Sequence, residues 1–524
     1  MRPLKTIILL VAVLASICIP AFGDTAGDYL NSGKAKYDRG DLDGALIDLN
    51  KAIEIAPANF TNYYNRALVK LALTDLPGAV ADLNTAISIQ PDHPESYLNR
   101  GVVKNRMGDL DGAMADCIKA IELQPGFALA YYNLGSVKCF KGDTNGAIAD
   151  FSKAISLNPK FAESYYTRGF LKSETGDRDG GVADYDKAIE FKPDFADAYY
   201  NRGFQKQGRG DLDGAMTDYN QAIKFKPRYA NAYHDRATVK DAKGDLSGAI
   251  MDCDKAIALN STNALTYNNR AIARAKSGDA DGAMADFNKT LELQPGHANA
   301  YFGRGSLKAR NGDLDSAIAD YDKTIALKPD DVSAHMARGI AKKRKGNTAG
   351  AKADFSEAIR LDPKTDAAYA ARGWLHYNAH QFTNALLDFR RSAELNSAKD
   401  YARFHVWMVR GRLGETDSAT KELQQYLESR GEGGPNAWLF NVGRFLTGHL
   451  SETGLLKVAD NAVTQKRNEQ LCEAFFYAGT KRLIDGDGAG AADDFRNCVA
   501  TGVKNFTEYQ SAIAELQYLD KIKN

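Results

Sequence analysis

The sequence predicts an all-α fold, a solenoid of antiparallel helix pairs, and three observations carry that prediction. The first is a period of 34 residues. Stepping from Gly40 reaches Thr74, Gly108, Gly142, Gly176, Gly210, Gly244, Gly278, Gly312, Gly346, His380 and Gly414, so ten of twelve positions are glycine. The second is a small residue five places after each of these, from Ala45 and Ala79 to Ala419, with Gly181 the one that is not alanine. The third is proline seventeen places after the glycine, at positions 57, 91, 125, 159, 193, 227, 295, 329 and 363, nine of the chain's 14 prolines. A fixed period over a long chain marks a repeat array, in which each unit buries its apolar face on its neighbours.

Each unit holds two stretches with helical apolar spacing. In the first, Tyr97, Tyr131, Tyr165, Tyr199, Tyr233, Tyr267 and Tyr301 recur, each four residues before Gly or Ala. In the second, Ala113, Cys117, Ala120 and Ile121 share one helical face. Glycine separates the stretches, supplying the positive φ that ends a helix, and proline closes the unit. The corner is written GDLDGA at 40–45, 108–113 and 210–215. Asp41 and Asp43 fall at the N-cap or first turn of the second helix, where a carboxylate accepts from free N–H groups and faces the positive end of the helix dipole. Pro77 stands in the place of Asp43 in the second unit, as a first helical turn allows. A calcium loop needs more oxygen ligands and a distal Glu. Its closest imitation, DGDGAG at 485–490, has Arg496 there, and no phosphate-binding Gly-Lys-Ser/Thr follows these turns. Thr74 and His380 mark units in which the corner must form without glycine.

Residues 165–193, YYTRGFLKSETGDRDGGVADYDKAIEFKP, carry the pattern almost complete. It resembles the tetratricopeptide repeat (TPR), as twelve units over 26–433. A degenerate helical segment is expected over 434–471, a further unit over 472–506, and a capping helix over 507–524 with Ile513, Leu516 and Leu519 facing inward. The resemblance implies a right-handed superhelix whose inner, concave wall is the first helix of each pair. It implies a protein or extended peptide as partner, with no catalytic residues, no metal and no cofactor.

The inner-wall positions are therefore the candidate site. One gives Asn31, Asn65, Asn99, Asn133, Asn201 and Asn269; its neighbour gives Tyr64, Tyr132, Tyr166, Tyr200, His234 and, later, Phe302. The asparagine row is similar to the one lining the TPR domain of O-linked N-acetylglucosamine transferases, which clamps the backbone of extended peptides. An amide both donates to and accepts from a peptide unit, whatever the sequence; adjacent aromatics add contact area. Recent duplication would copy the same row with no function attached.

Charges recur with the period too. First helices carry Arg66, Arg100, Arg168, Arg202, Arg236, Arg270, Arg304, Arg338 and Arg372, with Lys four later in most units, and the second helices carry Asp48, Asp82, Asp116, Asp150, Asp184 and onward to Asp388. An Arg/Lys–Asp ladder is expected, fixing register more than adding stability. His376 and His380 are spaced as a metal-capable pair, yet both sit on fixed repeat positions; an accessory that holds metal or ligand has no other support. The run KKRK at 342–345 reads as the cationic end of a helix. Cys117 and Cys253 replace the aromatic of the second helix as small core residues. Cys472 and Cys498 lie near helix ends that should meet, and a disulfide is expected between them.

Lys+Arg and Asp+Glu are both 67, so the net charge is zero, which removes the electrostatic case for nucleic acid or an anionic membrane. Arg2 and Lys5, the apolar run 7–19 and the small residues around Ala21-Phe22-Gly23 read as a secretory signal cleaved after Gly23. Ile17 before Cys18 departs from a lipoprotein signal. No later segment is apolar enough to span a bilayer. The expected place is secreted or periplasmic, where disulfides persist. The tail stretches 438–456 and 471–509 are similar to bacterial envelope TPR lipoproteins that act as adaptors for cell-wall enzymes, and with the signal they point to a bacterial source. The expected function is a non-catalytic scaffold binding on repeats 1–8; homo-oligomers built by end stacking are the alternative.

Overall fold

The computed structural model describes residues 25–396, 400–430, 437–462 and 464–523, so the signal expected over 1–23 lies outside them. Helix is the only regular element among the described residues, and the helices come in pairs: Ala26–Asp38 with Leu42–Ile55, Phe60–Ala72 with Leu76–Ile89, and so on to Asp400–Arg412 with Thr416–Arg430. This is the solenoid of antiparallel pairs. The chain divides into two compact units, residues 1–261 with seven pairs and residues 262–524 with the rest.

The corners form as local backbone chemistry requires. Gly40 has φ +82° and the glycines of the same phase match it. Thr74 and His380, at φ 63° and 53°, are the two described non-glycine residues with positive φ. Asp41 caps the second helix by accepting the N–H of Gly44 at 2.9 Å, and Asp109, Asp143 and Asp211 repeat the bond. A Cβ on Gly44 would stand 2.2 Å from that carboxylate, so the cap itself selects the motif's second glycine. Ser316 takes the place in the ninth unit, and its N–H still reaches Asp313 at 3.1 Å. The motif's second aspartate does something else. Asp111, Asp179 and Asp213 are exposed and pair with Lys141, Arg209 and Lys243 of the following unit.

Inside most pairs, the recurring alanines let the helices close around one ring, and Leu49 and Leu83 take its place in the first two. Phe151, Tyr185, Tyr219, Phe287, Phe355 and Phe389 are buried there, and Cys117 and Cys253 fill the same place. Gly135 faces Phe151 so closely that a Cβ would meet the ring at 3.1 Å. Burying such a side chain stabilises by roughly 1.5–3 kcal/mol.

The charge ladder is present and does more than pair two helices. Arg66 donates from Nε and Nη2 to both oxygens of Asp82, at 2.8 and 2.6 Å, and Lys70 adds a contact at 2.8 Å. Its Nη1 reaches back to Asn50 on the second helix of the preceding pair, at 2.8 Å. The guanidinium also lies over the ring of Tyr63. Arg100, Arg168 and Arg236 repeat the clamp on Asn84, Ser152 and Asn220. In the first described pair Ser32 stands at the arginine position and donates to Asp48. In the fourth pair Leu134 replaces the arginine, and the residue it would have reached is Ile118. The KKRK run is absorbed into the same pattern, with Lys342 on Asp354 and Lys345 on Asp315.

In the second unit the tail helices Ala437–Leu446, Glu452–Asp460, Thr464–Ile484 and Gly488–Ala500 end in a closing helix, Thr507–Lys523. That last helix packs on Thr464–Ile484, on Gly488–Ala500 and back on Asp366–Asn378. Leu519 is buried, and Ile513 and Leu516 pack against the same core. The expected disulfide is corrected here. Cys472 and Cys498 do meet, but their sulfurs are 3.4 Å apart and both are free thiols, a packing contact where a bond would bring them to about 2.0 Å. The Cys472 thiol beside it and burial push the Cys498 thiol up, so it stays protonated.

Candidate binding face

The first helices of successive pairs pack on one another: Ala26–Asp38 on Phe60–Ala72, Pro94–Met107 on Ala128–Phe140, and Ala196–Gly208 on Ala230–Ala242. The candidate rows of unit 1 therefore run side by side from repeat to repeat. Their depth differs sharply from one residue to the next.

Asn31 is exposed, Asn201 is half-buried, and Asn65, Asn99 and Asn133 are buried. The buried amides have internal work. Asn99 donates to the hydroxyl of Tyr64 at 2.9 Å, and Asn201 to the hydroxyl of Tyr166 at 2.9 Å. Asn65 and Asn133 instead donate to carbonyls of their own helix, those of Thr61 and Leu129. The preceding repeat decides which. Where it offers a tyrosine hydroxyl the amide takes it; Leu30 and Leu98 offer none. In the seventh repeat Asp235 replaces asparagine and accepts from the Tyr200 hydroxyl at 2.6 Å.

The aromatic row lies mostly in the interior. Tyr132 is fully buried, and Tyr64 and Tyr200 nearly so. Each ring packs on an aromatic at the start of the next repeat: Tyr64 on His93, Tyr132 on Phe161, Tyr166 on Phe195, Tyr200 on Tyr229. Burial pushes the phenols of Tyr64 and Tyr132 up to about 12, which keeps them neutral. Tyr132 and Tyr200 are thus core residues, with no surface to offer a ligand. His234 is half-buried, its Nε2 4.0 Å from Asp235. In unit 2, Asn269 is half-buried, and Phe302 packs on Tyr321.

What the sequence pattern did not single out is the set of rings that do face solvent on first helices. Phe140 is 40% exposed and Phe204 44%. Phe170, between them in sequence, is half-buried. The signal was available: Phe170 and Phe204 are one period apart, at a position held by Val102 and Ser136 in earlier repeats.

The histidine pair of unit 2 does not converge. His376 is buried with Nδ1 2.7 Å from Gln381 Oε1, while the His380 ring stacks on Tyr518 with centroids 3.9 Å apart. No group of three metal-ligating side chains exists among the described residues, and no described helix is long and apolar enough to cross a membrane.

Models of the tetratricopeptide repeat match residues 94–127, 128–161, 268–332 and 336–400. A TPR repeat model matches 33–73, 174–208 and 209–240. No curated protein matches the chain. Among solved structures it is similar to YrrB, described as a TPR protein with an unusual peptide-binding site, at 27% identity and TM-score 0.33 over 37% of this chain and 97% of that one. It is similar to MamA at 27% identity and TM-score 0.30, over 33% and 96% of the two chains. To yeast Tom70 the figures are 18%, 0.32, 77% and 97%. With the family models covering more than half of its length and the helix pairs recurring at their period, the chain belongs to the tetratricopeptide repeat family.

Proposed function

We propose that the chain is a non-catalytic scaffold that binds a protein or extended peptide on the first-helix side of unit 1, along repeats 4 to 6. The observation that carries this is the exposure of Phe140 and Phe204 on that side, with the half-buried Asn201 beside the second in the chain. Large rings held at the surface of a rigid helical array cost solvation and supply contact area to a partner. Asn201 keeps amide capacity beyond its bond to Tyr166, as Asn has two donors and an acceptor. The buried Asn99 and Asn133 join repeats and do not carry the reading; Asn31 and Asn269 remain candidates at other points of the row.

Selection of peptides from a random display library on the purified chain tests it. Phe140→Ser and Phe204→Ser should each reduce capture of the selected peptides at least tenfold. Ile47→Ser, at an exposed position on a second helix, should leave capture intact. Equal loss in all three variants would remove the assignment.

The same reading places the scaffold outside the cytoplasm, secreted or periplasmic, on the strength of the basic start and apolar run of residues 1–23. N-terminal sequencing of the protein recovered from the expressing cell should begin at Asp24. Recovery of a chain that begins at Met1 would remove the export reading.

A further inference from the structure

The closing helix Thr507–Lys523 of unit 2 docks through a face that is partly ionic. Glu508 and the residues four, seven and eleven places after it, Ala512, Glu515 and Leu519, form one stripe of a helix. All four are buried, and so is Ser511 beside them. The stripe therefore takes two carboxylates and a hydroxyl out of water along with its apolar anchors.

What receives the stripe comes largely from first helices. Arg412 donates from Nη1 to Glu515 Oε1 at 2.7 Å, and the two side chains are only 9% and 1% exposed. Lys343 faces Glu508. At the corner after Asp366–Asn378, the His380 ring stacks on Tyr518 with centroids 3.9 Å apart. The polar match is incomplete. In the ladder Arg66 holds both oxygens of Asp82, whereas Glu515 Oε2 and Ser511 Oγ make no hydrogen bond among the described residues. An unmet buried polar group subtracts from docking, because water would satisfy it. A buried ion pair repays little beyond its own desolvation. The helix is thus held by its apolar anchors against a polar cost that is relieved when it lifts. Its link to the preceding helix is short, 501–506, and turns at Gly502, where φ is +73°.

We propose that the closing helix is a displaceable resident of this face, and that the face's other occupant is an acidic helix of a partner protein carrying the same stripe. That stripe is two carboxylates seven residues apart, each followed four places on by an apolar side chain. Charge complementarity selects it. Lifting the resident leaves Arg412 without Glu515 and Lys343 without Glu508, and the incoming carboxylates pair with both cations again. The apolar residues of the partner take the places of Ala512 and Leu519. The proposal concerns unit 2 and does not rest on the binding face proposed for unit 1.

A synthetic peptide of residues 507–523 is the probe. It is titrated into the isotope-labelled full chain, and amide hydrogen exchange is read in the chain alone. The link holds the resident at a high effective concentration, so the free peptide has to compete at up to millimolar levels. Protection should be lost in the chain's own closing helix and kept in helix Thr464–Ile484. The same peptide carrying Glu515→Gln should need at least tenfold more for the same effect. Glu515→Gln in the chain weakens the resident, so that variant should respond to at least tenfold less of the unchanged peptide. Circular dichroism melting shows whether the variant is folded; if it is not, the comparison of the two peptides on the unchanged chain decides. No loss of protection at millimolar peptide, or equal potency of the two peptides, overturns the proposal. Dimers of the unchanged chain in light scattering, with no response to the peptide, give the face to a second copy and likewise overturn it.

Discussion

The hydroxyl of Tyr64 accepts a 2.9 Å hydrogen bond from the amide of Asn99, a residue of the next repeat. Both groups are buried, so neither has water to fall back on. A bond of this kind contributes about 1 kcal/mol net, and leaving one partner unsatisfied costs about 1–3 kcal/mol. The bond therefore joins two repeats that apolar packing and the exposed Arg100–Asn84 contact also hold together.

The first prediction contrasts this bond with its look-alike. Tyr64→Phe and Asn99→Leu should each destabilise, and the double variant should recover part of the loss, a coupling of about 1 kcal/mol. Asn133, whose amide bonds its own helix beside Leu98, should show no coupling with Leu98→Met. Because repeat arrays do not unfold in one step, amide hydrogen exchange in helix Pro94–Met107 is the suitable readout. Additive effects for the Tyr64 and Asn99 pair would show that the bond carries no energy.

The second prediction uses a natural gap in the ladder. Asp150 keeps Lys138 at 2.7 Å, but Leu134 stands where its siblings have arginine. Burial raises its carboxyl above the ordinary value. Leu134→Arg should bring the Asp150 titration down, and Ile118→Asn added to it should complete the clamp as Asn84 does for Arg100. The sign follows from linkage. A carboxyl raised in the folded state binds its proton longer than the unfolded chain does, so stability falls as pH rises from the unfolded to the folded pKa. Arginine should remove that fall. Carbon-detected titration of the Asp150 carboxyl checks the direction, and an unchanged midpoint would contradict it.

These features were unequally legible in the sequence. The corner is local: a cap spans three residues, a positive φ one, so glycine, aspartate and proline announce it at every period. The Arg–Asp clamp spans sixteen residues inside one pair, and both charges recur, so the ladder could be expected too. The Tyr–Asn bond joins positions thirty-five residues apart in different repeats. Asn99 and Asn133 look identical in the sequence, and only Tyr64 or Leu98 in the repeat before sets what each amide does. Depth was hidden for a related reason. Tyr132 and Phe204 both read as aromatics of a first helix, yet the aromatic at the start of the following repeat, Phe161, covers the first, while the second, at another register, stays exposed. The thiols of Cys472 and Cys498 show the same limit: antiparallel ends brought the sulfurs together, but the pattern could not distinguish contact from bond.

A third prediction concerns the two corners without glycine. A β-branched residue at positive φ is strained by on the order of 1 kcal/mol or more. Thr74→Gly should therefore stabilise unit 1 by about 1 kcal/mol, less the added freedom of glycine in the unfolded chain. His380→Gly should relieve similar strain but lose the stack on Tyr518 of the closing helix, so it should not stabilise unit 2. Hydrogen exchange in the helices flanking each corner checks both. Slower exchange after His380→Gly would mean that the stack holds nothing.

A fourth prediction follows from the acidic interior of the tail. Glu473 is buried; it accepts from Trp438 Nε1 at 2.7 Å and from the Tyr401 hydroxyl at 2.9 Å. Burial, then the neighbouring Glu508, pushes its carboxyl up to about 8, and burial raises Glu508 as well. Lys343 faces Glu508 and opposes part of the effect, while Glu469 adds to the negative field at Glu473. Asp494 is raised to about 6 by burial and by Glu452, although Arg482 lies at 2.9 Å. All three are acids that hold protons in the fold and release them near the ordinary carboxylate value once unfolded. The unfolded chain binds fewer protons between those values, so unit 2 should lose stability as pH rises from about 4.5 to about 8. Glu473→Gln keeps an acceptor for the Trp438 N–H and cannot ionise. It should flatten the upper part of that slope, above pH 6, and leave the lower part, where Asp494 titrates, in place. Hydrogen exchange in helix Gly488–Ala500 at pH 5, 6.5 and 8, corrected for intrinsic rates, separates the two limbs. Parallel profiles for the variant and the parent would mean that Glu473 does not titrate in this range and that the loss at high pH belongs to Asp494 and Glu508.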